Sequence, residues 1–247
     1  MMPNPWKDFT PQRGNHLLQD DAPFVTTYNA LLDVRTGRSK KEKSWEGFKF
    51  MLELFPEPFI GNKGAPVYIL NANPGVPENI ETEIPGNFSP AKLNTMADNL
   101  LHQGGGFYYF DPPFLHSGGY EWWKKKIFPA FNTNQLDAAQ IQKVKDTFFC
   151  LELIGYHSRF FNRGFFDDVR REGIGWPPSM TYAVELVNQA MAEEKIILLM
   201  KAARFWFDLV PNLRRYPKCD IIGERKSSLM ETYVSPWAMQ QLYRLLQ

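Results

Sequence analysis

The stretch "VYILNANPG" at 67–75 sets Asn71 and Asn73 where a run suited to a buried strand gives way to Pro74 and Gly75. A side-chain amide donates and accepts hydrogen bonds together, and Pro-Gly forces a tight turn that lets a ligand approach the backbone. These are the parts of a ligand site at a strand end; they also fit a plain turn capped by its asparagines. A second such place is "LELIGYHS" at 151–158, where Glu152 interrupts an apolar run and Tyr156, His157 and Ser158 follow. A carboxylate in a buried strand needs a partner or a cavity, because uncompensated burial is costly. His157 suits a general acid, a general base or a hydrogen-bond donor, or else a satisfied structural histidine. Lys201 follows "KIILLM", and the loop "GERKSSLMETYVSP" brings Arg225, Lys226, Ser227, Ser228, Tyr233 and Ser235 near another strand end. Basic residues beside hydroxyls suit phosphate, and they equally suit an ordinary exposed loop.

The segment "GGGFYYFDPPFLHSGGYEWWKKKI" at 104–127 is long, glycine-rich and dense in aromatics. Its rings could stack on a base or another planar ligand, or Phe107, Tyr108, Tyr109 and Phe110 could pack the loop down. Other site types lack support. The chain has no G-x-x-x-x-G-K-[ST], no G-x-G-x-x-G, no G-x-S-x-G and no H-E-x-x-H. His16, His102, His116 and His157 are dispersed, and Cys150 and Cys219 cannot supply a four-thiolate cluster.

These residues need a scaffold. The 247 residues, 44% hydrophobic and 22% charged, have the balance of a globular protein. A net charge of +1 gives no global case for nucleic acid, so a basic footprint would be local, at Lys124, Lys125, Lys126, Arg225 and Lys226. No apolar run approaches the ~18 residues of a membrane span, and "MMPNPWKDFTPQRG" lacks a signal peptide's apolar core. A reduced, cytoplasmic protein is expected.

Short runs at 67–70, 147–154, 195–200 and 219–222 read as buried strands. Helical segments lie between them. "SPAKLNTMADNLLHQ" opens with Ser89 as N-cap and Pro90 at the first position, and "SPWAMQQLYRLL" repeats the pattern with Ser235 and Pro236. "SWEGFKFMLELF" at 44–55 has near-helical apolar spacing, and "RTGRSKKEKS" at 35–44 reads as an exposed connection. Strands alternating with helices imply a parallel sheet with helices on both faces, where ligands bind beyond the carboxyl ends of the strands.

In combination, the strand ending in "NPG", the glycine-containing loop before "WWKKKI", the second strand with its polar residue, the "KIILLM" strand and the loop into "SP" resemble the uracil-DNA glycosylase superfamily. The resemblance runs from about residue 60 to the C-terminus. It implies a three-layer α/β/α fold with a central four-stranded parallel sheet, one domain over 1–247 with 1–60 as an extension packing on it. "NANPG" is similar to the asparagine form of the mismatch-specific uracil and thymine glycosylases, which makes Asn73 the water-positioning residue. An aromatic, Phe88 or Phe110, would stack on the flipped base. Glu152 matches the position that reads the pyrimidine edge, usually asparagine. Ser235 and Pro236 match a final loop that usually holds a histidine or asparagine, so His157 or Ser235 would stabilise the departing base. Asn71, Pro74, Gly75, Ser158 and Tyr233 complete the expected substrate contacts.

The departures carry chemistry. An ionised glutamate only accepts, so Glu152 suits a base edge with two donors or must be protonated. Losing the final-loop group removes a stabiliser commonly worth on the order of 10²–10³-fold in such electrostatic sites. The expected activity is N-glycosidic hydrolysis of a modified or mismatched base by a monomer, with DNA or a nucleobase-containing small molecule as partner, and with no cofactor and no metal. The alternative is a non-catalytic nucleic-acid or nucleotide binder on the same fold. A third reading is a small-molecule hydrolase or transferase with Glu152 as general base.

Overall fold

The apolar runs of the sequence assemble into one sheet. In the computed structural model, every residue is described except 1, 11–13, 37–44, 77–83, 85–86, 132, 134, 223–227, 231 and 247. Most of the expected exposed connection, residues 37–44, thus lies outside the described residues, as do Arg225, Lys226 and Ser227.

The strands are β1 (Phe59–Gly61), β2 (Val67–Asn71), β3 (Phe148–Glu152), β4 (Ile196–Leu199) and β5 (Cys219–Ile221), in the order β1-β3-β2-β4-β5. Pairing of β2 with β4 and of β4 with β5 is parallel; β1 runs antiparallel to β3, with Ile60 opposite Cys150. All residues of β2, β3 and β4 are buried, as expected for strands covered on both faces.

The chain is therefore α/β with a five-stranded mixed sheet, where a four-stranded parallel one was expected. The added strand has three residues, too few for a periodic signal, and lies between Pro58 and Gly61. Tertiary partners hold it. The side chain of Asn99 accepts from Gly61 N–H at 3.0 Å and donates to Phe59 C=O at 2.6 Å, closing the outer edge of β1 as a neighbouring strand would. Gly61 has φ +103°, and a Cβ there would lie 2.7 Å from Phe148 O, so only glycine fits.

Two compact units divide the chain. The first comprises Met1–Pro58, Ala72–Asn87 and Glu152–Glu185; the second comprises Phe59–Asn71, Phe88–Leu151 and Leu186–Gln247. In the first, helices α1 (Ala22–Thr36) and α5 (Arg163–Arg171) pack through Phe24, Tyr28 and Phe166, with Tyr28 stacked on Phe50 at 4.4 Å. Beneath them the fully buried Asp21 carboxylate accepts from Tyr156 Oη at 2.8 Å and Ser179 N–H at 3.1 Å. Burial pushes the pKa of this carboxyl up, and that of the Tyr156 phenol well up.

Among the described residues of 44–55, the near-helical spacing yields a helical residue at Trp45 and a three-residue 3-10 turn at Glu46–Phe48. Asn29 accounts for the difference. Its side chain accepts from Phe50 N–H and donates to Phe50 C=O, while Met51 bridges to His157, so these backbone groups are taken from any helix.

The second unit holds α2 (Pro90–Leu100), α3 (Gly118–Ile127), α4 (Ala138–Thr147), α7 (Ala203–Leu209) and α8 (Pro236–Leu246), while α6 (Pro178–Ala192) runs across the division of the chain. Ser89 caps α2 by accepting from Lys92 N–H, and Ser235 caps α8 by accepting from Ala238 N–H. On α2, Met96 and Leu100 are buried, whereas Leu101 lies past the helix end and is exposed.

Two measurements check the account of β1. Asn99→Ala leaves the Gly61 N–H and Phe59 C=O without their side-chain partner, and should lower stability by roughly 2–6 kcal/mol at about 1–3 per buried group. A loss under about 0.5 kcal/mol in urea unfolding would contradict the edge closure. His102 stacks on Phe59 at 4.2 Å, and burial pushes its pKa down to about 4. Its folded value lies below the unfolded one near 6.5, so the unfolded chain binds the proton first and stability falls as pH drops from 6.5 towards 4. His102→Asn, which tolerates the positive φ there, should remove up to about 3 kcal/mol of that acid sensitivity; equal pH slopes would contradict it.

Candidate functional site

The loop after β2 turns at Ala72 and closes against the segment after β3, within the first unit. Ile154 N–H donates to Ala72 O at 3.1 Å, and Ser158 N–H donates to Pro74 O at 3.3 Å. The Asn73 amide completes the closure. Its Nδ2 lies 2.8 Å from Pro74 O, 3.3 Å from Ser158 O and 2.9 Å from Ser158 Oγ. Carbonyl oxygens only accept, so the nitrogen end of the amide must face them, which fixes the direction of Oδ1. That oxygen accepts no hydrogen bond among the described residues, and the side chain is partly exposed. Among the described residues the site therefore presents one oriented acceptor that takes no hydrogen bond.

Ser158 is 3% exposed, and its hydroxyl donates to Phe160 O at 2.8 Å while accepting from Asn73. His157 is braced on both sides. Its Nδ1 lies 2.6 Å from Gly75 O and its Nε2 lies 2.9 Å from Phe55 O. Both ring nitrogens thus face main-chain oxygens that can only accept, and a neutral imidazole has one N–H to give to one of them. Pro74 is buried and Gly75 exposed. Glu152, at the end of β3, is 5% exposed, and its N–H donates to Pro58 O at 2.9 Å. Asn73, Pro74, Gly75, Glu152, His157 and Ser158 therefore belong to one unit, and the loops that carry Asn73, Gly75, His157 and Ser158 are bonded to each other.

The other expected residues belong to the second unit. Asn71 is buried in the sheet, its Nδ2 donating to Cys150 Sγ at 3.4 Å and its C=O accepting from Trp206 Nε1 at 2.7 Å. Phe110 is 4% exposed and packs on Phe107, Tyr120 and Phe128. Phe107, Tyr108 and Tyr109 are also buried, so the aromatic loop is packed down. Phe88 is half-buried, with the Lys92 ammonium 3.9 Å from its ring centre. The Ser235 hydroxyl accepts from Ala238 N–H in the α8 cap, and the Ser235 N–H donates to Asp220 Oδ2 at 2.7 Å. Tyr233 is half-buried, its N–H bonded to Met230 O. Lys124, Lys125 and Lys126 sit in the last turn of α3, where cations suit the helix dipole.

Sequence reasoning passed over Arg159 and Phe160, both exposed, which immediately follow the pinned Ser158. Their one available signal was position, directly behind two residues already chosen for chemistry. Among the described residues no group of three or more His, Cys, Asp and Glu side chains could hold a metal ion, and no helix is long and apolar enough to cross a membrane.

Replacing Asn73 tests the clamp. Asn73→Asp sets acceptors against the Pro74 and Ser158 carbonyl oxygens, so at pH 7 it should be less stable than Asn73→Ala by about 1–3 kcal/mol. Asp and Ala variants of equal stability in urea unfolding would mean that the amide nitrogen is not held there. Comparison with protein-family models, with curated proteins and with solved structures finds no match to this chain.

Proposed function

We propose that the chain is a divergent uracil-DNA glycosylase-like protein that hydrolyses the N-glycosidic bond of a modified or mismatched base in DNA. The single observation that carries the reading is the Asn73 amide, clamped through its nitrogen so that Oδ1 remains to accept from a water. A water held by that oxygen has its lone pair turned toward the sugar carbon. Attack forms the new C–O bond as the C–N bond breaks, the bonding pair leaves with the base, and the water's proton passes through solvent to the departing base. On this reading the sheet is the centre of a three-layer α/β/α domain, with β1 added at one edge.

Glu152 would meet the edge of the extruded base, with Pro74, Gly75 and Ser158 of the same unit as further contacts. As a carboxylate Glu152 suits a base edge that offers two donors; as a carboxylic acid it suits an edge that also accepts.

A second reading has its own observation. The His157 ring, the group considered for the departing base that lies in the same unit as Asn73, has both nitrogens within hydrogen-bond distance of main-chain oxygens. A site without that stabiliser fits a non-catalytic binder of nucleic acid or nucleotides. The two readings separate in one assay. Base release is measured on single-stranded and duplex oligonucleotides containing uracil, mismatched thymine, hypoxanthine or xanthine. The favoured reading expects release that falls on the order of 10²-fold or more in Asn73→Ala and is lost in Glu152→Ala. Release unchanged by Asn73→Ala would overturn it, and binding without release on every substrate would establish the second reading.

A further inference from the structure

We infer that Phe160, with Arg159 beside it, is a stacking platform for an unpaired base of a nucleic-acid strand bound at the Asn73 loop. The inference rests on the reading that the first unit handles nucleic acid, and it adds a contact that no part of the expected site supplied.

Phe160 is 52% exposed, and Arg159 is exposed as well. A single exposed phenylalanine is ordinary. What distinguishes this one is how its backbone is held. Its N–H donates to Gly47 O at 2.9 Å, and its C=O accepts from Ser158 Oγ at 2.8 Å. The same hydroxyl accepts from the Asn73 amide at 2.9 Å, so one serine couples the acceptor of the site to the base of the ring.

The ring itself is set down on the chain. A Cβ at Gly47 would lie 2.6 Å from Phe160 Cδ2, so glycine there makes room for the ring to lie against the backbone. Phe48 supports it at 5.3 Å between ring centres. A braced ring with a solvent-facing side loses little freedom on binding a planar ligand, which favours stacking. Arg159 forms no ion pair with a described residue. Its guanidinium could meet a backbone phosphate, next to an aromatic that could take the attached base. That pairing of groups matches single-stranded nucleic acid better than a free nucleobase, which carries no phosphate.

The probe is a short single-stranded DNA oligonucleotide carrying 2-aminopurine, whose fluorescence falls when it stacks. Wild type should quench it on binding. Phe160→Ala should lose the quench and bind about 5- to 150-fold more weakly, the range of one base–aromatic stack. Phe160→Tyr should retain both, and Arg159→Ala should reduce the salt slope of binding by about one. Thermal melts establish that each variant is folded. Quenching and affinity unchanged in Phe160→Ala, or no binding by wild type, would overturn the inference. Base release by wild type and Asn73→Ala is measured alongside. Phe160-dependent quenching without release overturns the glycosylase reading and supports the platform. Asn73-dependent release with unchanged binding by Phe160→Ala does the opposite.

Discussion

A carbonyl oxygen cannot donate, and this constraint governs the loops that follow β2 and β3. Where buried strands end, their neighbours' backbone groups need partners. Here the two loops supply them to each other, through Ala72 with Ile154 and Pro74 with Ser158. The Asn73 nitrogen is drawn among the remaining oxygens, and the orientation of the whole amide follows. Without that clamp Oδ1 would be a rotating acceptor on a surface turn. With it, the acceptor has one direction, as the proposed catalysis requires of a group that must not reorganise when the reaction occurs.

The backing of these loops comes from the N-terminal part of the same unit. Phe55 O meets His157 Nε2, Met51 bridges to His157, and Gly47 O holds Phe160. Farther back, the buried Asp21 gathers the Tyr156 hydroxyl and the Ser179 N–H. A buried carboxylate with such partners makes Tyr156 a fixed post next to His157. The first 58 residues thus bear on the candidate site through hydrogen bonds, although the family resemblance starts only near residue 60.

Much of the scaffold was legible because it is local. Apolar runs at 67–70 and 195–200 mark β2 and β4 to within a residue or two, and Ser-Pro pairs mark the starts of α2 and α8. What failed depends on distant partners. Strand β1 exists because Asn99 and β3 accept it. The helix suggested by 44–55 is undone by Asn29, more than twenty residues upstream of Phe50. The site divides in the same way. "NANPG" announced an unusual strand end by composition. The bond between Asn73 and Ser158 spans 85 positions and left no trace in spacing. The rings of 107–110 could have stacked or packed, and burial decided for packing.

The most direct measurement of the central claim is the hydrogen exchange of the Asn73 side-chain amide, assigned by NMR in the free protein. If the nitrogen is held among the Pro74 and Ser158 oxygens, its protons exchange much more slowly than those of an exposed asparagine and give two well-separated signals. Exchange at the rate of a free side chain, with signals at ordinary positions, would mean that the amide rotates and that Oδ1 has no fixed direction in which to hold a water.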